Sequence, residues 1–135
     1  MNIWVCSLDE FILIALKRGG KQEYEKIVFT DNTIYINDKK YDIEDLLSIE
    51  GEIKDHIKIY EYKGEDNYIE HVLPVGYIRL KFKNNLEVTL ETMNPLSKIE
   101  ELVIKINSLY IDRGVSKLGL IESSIDRVVY VRSVQ

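Results

Sequence analysis

Cysteine is nearly absent from this 135-residue chain, with Cys6 the single example. One thiol excludes an intramolecular disulfide and any zinc centre built on several cysteines. Histidine is almost as scarce, His56 and His71 being the only two, and neither sits in a recognised metal-ligand spacing. Long apolar runs are missing as well. The compact run from Phe11 to Leu16 falls far short of the roughly 20 residues that a helical membrane span needs, and acidic Asp9 and Glu10 precede it where a secretory leader carries basic residues. The expectation is a cytoplasmic protein with no integral membrane segment.

An excess of positive charge is also lacking. The formal net charge of −5 opposes long-range attraction to nucleic acid and to anionic lipid, so no nucleic-acid partner is expected. What the chain does have is a globular composition: 45% apolar and 30% charged residues, the charges spread throughout. That is enough for one domain with a real core and no need of disulfides or metal. Its abundance of Ile, Lys, Asn and Tyr matches the usage of AT-rich bacterial or phage coding sequences.

Strand patterns fill the chain up to Thr92. The segment from Phe11 to Leu16 reads as a first strand, although Ser7 and Glu10 have the capping-box spacing of a helix start. Lys26 to Thr30 and Thr33 to Asn37 read as a hairpin about Asp31 and Asn32, residue types that tolerate the positive φ of tight turns. Asp38, Lys39 and Lys40 make a second turn, and residues 46–50 a further strand. His56 to Lys63 alternates Ile57, Ile59 and Glu61 with Lys58, Tyr60 and Tyr62; a polar tip at residues 64–67 and a return through Tyr68 to Leu73 make this a projecting hairpin. Ile78, Leu80 and Phe82 then alternate with Tyr77, Arg79 and Lys81, turn at Asn84 and Asn85, and return as Leu86, Val88 and Leu90, giving one buried and one wet face.

The period changes at residue 95. Asn94 suits an N-cap and Pro95 the first helical position, and Leu96, Ile99, Leu102, Val103, Ile106, Leu109 and Tyr110 share one face at 100° per residue. Gly114 suits the left-handed position that follows a helix. Such a helix has only the sheet to pack against, and burying its stripe contributes on the order of 10 kcal/mol before the entropy of ordering. Ile104 and Ile111 form a second small row that the tail or another subunit should cover. The tail, from Arg127 to Val134, has high β-propensity and can extend the sheet or pair with a partner's edge.

This order resembles the bacterial pleckstrin-homology-like (PH-like) domains. The matching stretches are KIVFTDNTIYIN at residues 26–37, YDIEDLLSIEG at 41–51 and GYIRLKFKNNLEVTLETMNPLSKIEELV at 76–103. The resemblance covers residues 10–114 and implies an α+β, mainly β fold: an antiparallel barrel or sandwich capped by one C-terminal amphipathic helix. Residues 115–135 then form a strand-bearing extension of a single domain spanning 1–135. Residues 56–74 and 115–135 exceed the compact family pattern, and individual function belongs there.

Eukaryotic relatives of that family bind phosphoinositides around the first interstrand loop, where this chain has Lys17, Arg18 and Lys21. Glu23 and Glu25 interrupt that weak anion patch, so an ordinary solvated loop is the expectation and lipid contact a lesser alternative. No catalytic residues, metal ligands or cofactor-binding residues emerge, because scattered carboxylates lack the pocket and pairing that acid/base chemistry needs. The candidate interaction residues are Tyr60, Tyr62, Tyr68, Ile104, Ile111, Val129, Tyr130 and Val131, since tyrosines and aliphatics on outward positions are the currency of protein interfaces. The expected function is a non-catalytic interaction module that binds protein or itself. A small acidic inhibitor of a nucleic-acid-processing enzyme, phage or mobile-element in character, is the alternative.

Overall fold

Strands dominate because β-branched and aromatic residues alternate with polar ones over most of the chain. A computed structural model describes Leu8, residues 10–16 and residues 24–133. In order come β1 (Phe11–Leu16), β2 (Tyr24–Phe29), β3 (Thr33–Ile36), β4 (Lys39–Asp42), a 3-10 turn (Ile43–Asp45), β5 (Leu46–Gly64), β6 (Asn67–Phe82), β7 (Leu86–Thr92), α1 (Leu96–Asp112), β8 (Leu118–Ser123) and β9 (Arg127–Arg132). All pairings are antiparallel, in the order β4-β3-β2-β1-β7-β6-β5-β9-β8. Two meanders, β1 to β4 and β5 to β7, are therefore joined through β1 and β7, and the tail adds β9 and β8 to the far side of β5.

The sheet is open, which corrects the barrel that the sequence suggested. β5, the outer strand of the second meander, has its other side occupied by β9, with Ile49 opposite Tyr130 and Gly51 opposite Val128. The edges are consequently β4 and β8, and α1 rather than strand closure covers the core. The tail strand thus pairs within its own chain. β8 itself carried no expectation, its alternation being masked by Gly119 and by a bulge between Leu120 and Glu122.

One face of the sheet meets the helix. Leu13, Phe29, Ile34, Ile49, Ile78, Leu80 and Val128 are buried there together with the seven-residue stripe of α1, the contiguous core that the alternation anticipated. Gly51 sets the approach of the helix: a Cβ at that position would lie 2.3 Å from Ile99 Cδ1 and 3.2 Å from Leu96 Cδ2. Tyr110, fully buried, donates its hydroxyl hydrogen bond to the Ile43 carbonyl and so ties the last turn of α1 to the 3-10 turn. Burial drives its phenol up to about 12, against the smaller opposing influence of Arg132.

Helix ends and turns refine the sequence reading. The N-cap position falls on Pro95, not Asn94; the Asn94 amide instead donates to the Ile14 carbonyl at 2.8 Å, tying β1 to the start of α1. At the other end the Val115 N–H reaches the Tyr110 carbonyl at 2.8 Å and the Gly114 N–H the Ile111 carbonyl at 3.2 Å. With Gly114 at φ +68°, this is a Schellman closure. Asp31 and Asn32 do not take positive φ. The β2 to β3 connection is wider than a two-residue turn, closed by Thr30 N–H to the Thr33 carbonyl at 2.8 Å. Asn37 supplies the left-handed residue of the β3 to β4 hairpin, with φ +56°, and Asn84 and Asn85 those of the β6 to β7 hairpin, with φ +68° and +60°.

Candidate interaction surfaces

The long strands β5 and β6 leave the body of the sheet together. The sequence suggested separate strands at 46–50 and 56–63, and a return through Tyr68 to Leu73 distinct from the strand that starts at Tyr77. In the structure β5 runs unbroken for 19 residues and β6 for 16. The exit is built by Gly76 and a bulge: a Cβ on Gly76 would lie 1.8 Å from the Glu52 carbonyl oxygen, and between Ile53 and Asp55 one extra residue is inserted opposite β6. Residues 54–63 and 67–72 are exposed on both faces.

Pairing along this ribbon sets Ile57 against Leu73, Ile59 against His71, and Glu61 against Ile69; alternating with these, Lys58 meets Val72, Tyr60 meets Glu70, and Tyr62 meets Tyr68. One face is therefore aliphatic, the other rich in tyrosine. The Tyr62 and Tyr68 rings lie 5.2 Å apart and tilted, and Lys58 reaches Glu70 at 3.4 Å. On the aliphatic face His71 Nε2 meets Glu61 Oε2 at 3.0 Å. Hydrogen bonds from Lys63 first, then from His71, hold the Glu61 carboxyl below its ordinary range. At the tip Gly64, Glu65 and Asp66 all take positive φ, at +91°, +51° and +61°, a conformation that costs side-chain-bearing residues free energy.

Outside the helix-covered side, the body carries an alternating charge row across five strands. Glu122 on β8 meets Arg127 Nη1 at 3.0 Å, Arg127 Nε meets Glu50 Oε1 at 2.7 Å, Arg79 Nη1 meets Glu50 Oε2 at 2.7 Å, and Arg79 Nε meets Glu87 at 3.1 Å. Burial alone would raise the Glu50 carboxyl, but the hydrogen bonds and charges of Arg127 and Arg79 outweigh it and hold the group below its ordinary value. Every charge in the row has an opposite neighbour, so the arrangement clamps strands instead of presenting a free anion or cation.

Tyr60, Tyr62 and Tyr68 are the most exposed tyrosines of the ribbon, at 59, 60 and 61%. Ile104 and Ile111 stand out from α1 at 68 and 65% exposure, so the tail does not cover them. Between them Asn107 turns its amide to β8, accepting from the Leu118 N–H at 2.7 Å and donating to the Leu118 carbonyl at 2.8 Å. Val129, Tyr130 and Val131 are half-buried between β5 and β8. They serve the sheet and offer no free edge. Lys17, Arg18 and Lys21, like Cys6, lie outside the described residues. Sequence reasoning missed the arginine row, whose members sit far apart in the chain and meet only through strand register.

Two open grooves, of about 420 and 380 Å³, flank the end of the β6 to β7 hairpin, both lined in part by Phe82 and Leu86. Beside their apolar residues the first is lined by Ser48, Lys81, Asn85 and Glu87 and the second by Lys40, Asp42, Asp45, Lys83 and Asn84. Among the described residues no group of three His, Cys, Asp or Glu side chains is placed to hold a metal ion, and no helix is long and apolar enough to cross a membrane. No family model, curated protein or solved structure matches the chain.

Proposed function

We propose that this chain is a non-catalytic, PH-like interaction module of the bacterial or phage cytoplasm that engages protein through the ribbon of residues 54–75. The single observation behind this reading is the exposure of Ile57, Ile59, Tyr60, Tyr62, Tyr68, Ile69 and Val72 on a two-stranded arm with no third neighbour among the described residues. Two strands alone are marginal in water, and large aliphatic and aromatic side chains at such density are characteristic of docking surfaces. Support for the PH-like part comes from the two meanders joined through β1 and β7 and followed by a helix that lids the sheet.

The test follows from the architecture. Removing residues 115–135 would take Val128 from the core and β9 from β5, so that deletion confounds folding with binding. Joining Ile53 to Gly76 through an Asn-Gly turn removes only the ribbon. The expected result is a folded body, with circular dichroism and cooperative unfolding retained, that no longer captures partners or copies of itself. Unchanged association by the folded, ribbonless body would refute the reading. The acidic-inhibitor alternative predicts binding to a basic target that falls steeply with added salt.

A further inference from the structure

The ribbon leaves one edge of β5 unpaired, and its backbone groups can be oriented. β9 stops pairing with β5 at Glu52 and β7 stops pairing with β6 at Gly76; beyond those points, among the described residues, β5 and β6 pair only with each other. The Ile53 N–H donates away from β6, to the Asp126 carbonyl at 2.7 Å. The bulge after Ile53 inserts one residue, so the outward set resumes at His56. Two contacts agree. The His56 N–H is taken by the Asp55 carboxylate at 2.7 Å, and its opposite residue is Pro74, which has no N–H to exchange. Alternation along an antiparallel ladder then turns the N–H and C=O groups of Lys58, Tyr60 and Tyr62 outward as well.

An edge of this length is a template for another strand, and its side chains specify which strand. Two copies of one strand meeting edge to edge run antiparallel about a twofold axis normal to the sheet, which keeps every side chain on its own face. Centring the pair on Lys58 sets Lys58 against itself and Asp55 against Glu61. Centring on Glu61 faces two Glu61 carboxylates, centring on Tyr60 brings Asp55 to Glu65, and centring on Ile57 faces no opposite charges. Centring on Tyr62 opposes Glu61 to Lys63 but overlaps only residues 60–64 of β5, and centring on Tyr60 adds Lys54 against Asp66 to its like-charged pair. Ile59 alone pairs the whole of residues 54–64 and places opposite charges, Asp55 against Lys63, at both ends with no like charges opposed. Lys58 then lies opposite Tyr60, His56 opposite Tyr62, and Ile59 opposite its copy. Opposite charges across a ladder stabilise it and like charges destabilise it.

Resting on the ribbon as the docking element, we propose that its occupant is a second copy of this chain, paired through residues 54–64 of β5 about Ile59. In that register the outward groups face one another, so His56 with Tyr62 and Lys58 with Tyr60 become the hydrogen-bonded pairs. Ile59 falls at a non-hydrogen-bonded pair, where side chains approach most closely. The His56 N–H passes from the Asp55 carboxylate to the Tyr62 carbonyl of the second copy, and Asp55 is released to Lys63. The product is a four-stranded sheet with Tyr60, Tyr62 and Tyr68 of both copies on one face and Ile57, Ile59, Ile69 and Leu73 of both on the other. Lysines that would otherwise deter edge pairing here select its register.

Sedimentation equilibrium of the full chain tests this, up to about 200 µM to reach the weak affinities of small interfaces. The wild type dimerises. Asp55→Lys sets lysines against Lys63 and Lys63→Asp sets aspartates against Asp55, so each variant alone associates at least about tenfold more weakly. Mixing the two restores dimer formation, because Lys then faces Asp at both ends of the mixed pair. In a Cys6→Ser background Ile59→Cys cross-links between copies under mild oxidation, while Ile57→Cys, on the same face but remote from its copy, does not. A monomeric wild type, a single variant that dimerises as well as wild type, or a mixture that stays monomeric overturns the self-pairing. If the monomeric wild type still captures another protein through the ribbon, self-pairing falls while the interaction-module reading stands; if neither association depends on the ribbon, both fall.

Discussion

Strands β5 and β6 are each half body and half ribbon, and the two halves owe their order to different things. In the body, β5 has β6 on one side and β9 on the other; Ile49, Ile78 and Leu80 are fully buried, and Glu50 is clamped between two arginines. In the ribbon the same two strands keep their register from His56 with Pro74 to Tyr62 with Tyr68, yet among the described residues no third strand and no helix cover them. Alternation and β-propensity are equally good in both halves. Neighbours are what convert a strand-forming sequence into a rigid sheet, and a sequence that supplies the first without the second leaves surface for a partner.

The largest expected effect breaks the joint between the halves. Gly76→Ala meets backbone, not a yielding side chain, and is expected to cost about 4 kcal/mol in urea unfolding; a loss below about 1 kcal/mol would mean that the bend is soft. Next comes the clamp on the body. Glu50→Gln leaves Arg127 and Arg79 facing each other and is expected to cost about 2 kcal/mol by the same measurement. Because the folded-state Glu50 carboxyl is depressed, its contribution is complete above the ordinary value of 4.5 and disappears as pH falls through the lower folded value. The variant should therefore show a flatter acid limb in a stability-against-pH series.

Tyr110→Phe removes the tie from α1 to the 3-10 turn and is expected to cost about 1 kcal/mol. Ultraviolet titration of the folded wild type should leave one tyrosine un-ionised until about pH 12, and the variant should lose that late step. The ribbon responds differently. Replacing Glu65 and Asp66 by Asn and Gly relieves the left-handed tip and is expected to raise hydrogen-exchange protection of residues 56–72 by about 1 kcal/mol, with the body unchanged. The smallest effect is Tyr62→Ala, expected to shift global unfolding by less than about 0.5 kcal/mol while weakening capture by the ribbon. Equal sensitivity of body and ribbon to these changes would erase the distinction between them.

Much of this was legible in the chain. The helix face from Leu96 to Tyr110, the Asn84 and Asn85 turn and the two-sided pattern at residues 56–73 follow from periodicity and turn chemistry alone, whereas Phe11 to Leu16, a strand in the structure, was open to a helical reading because a short apolar run behind a capping-box spacing fits both. The continuity of β5 and β6 was hidden because Gly51, Pro74 and Gly76 look like breaks. Gly51 is there to admit Ile99 and Gly76 to let the Glu52 backbone pass, both close approaches that only tertiary structure reveals. Sheet opening was hidden for a related reason: which strand occupies the free side of β5 is decided by β9, whose Val128 lies opposite Gly51 from 77 residues further along the chain, and no local pattern encodes that choice. Of the candidate surface, the ribbon tyrosines were visible as outward aromatics, whereas Val129, Tyr130 and Val131 belonged to a strand whose partners could not be known.

Arg132 gives the molecule a timetable. Its guanidinium lies 4.5 Å over the Tyr110 ring and donates at 2.7 Å to the Glu44 carbonyl, across 88 positions of chain. During synthesis, the contacts of Arg132 with the end of α1 and with the 3-10 turn can be made only once residues 127–132 have emerged and slotted beside β5. A nascent chain halted before that point would hold an unfilled seat along β5, and a peptide carrying the β9 sequence supplied in trans could occupy it.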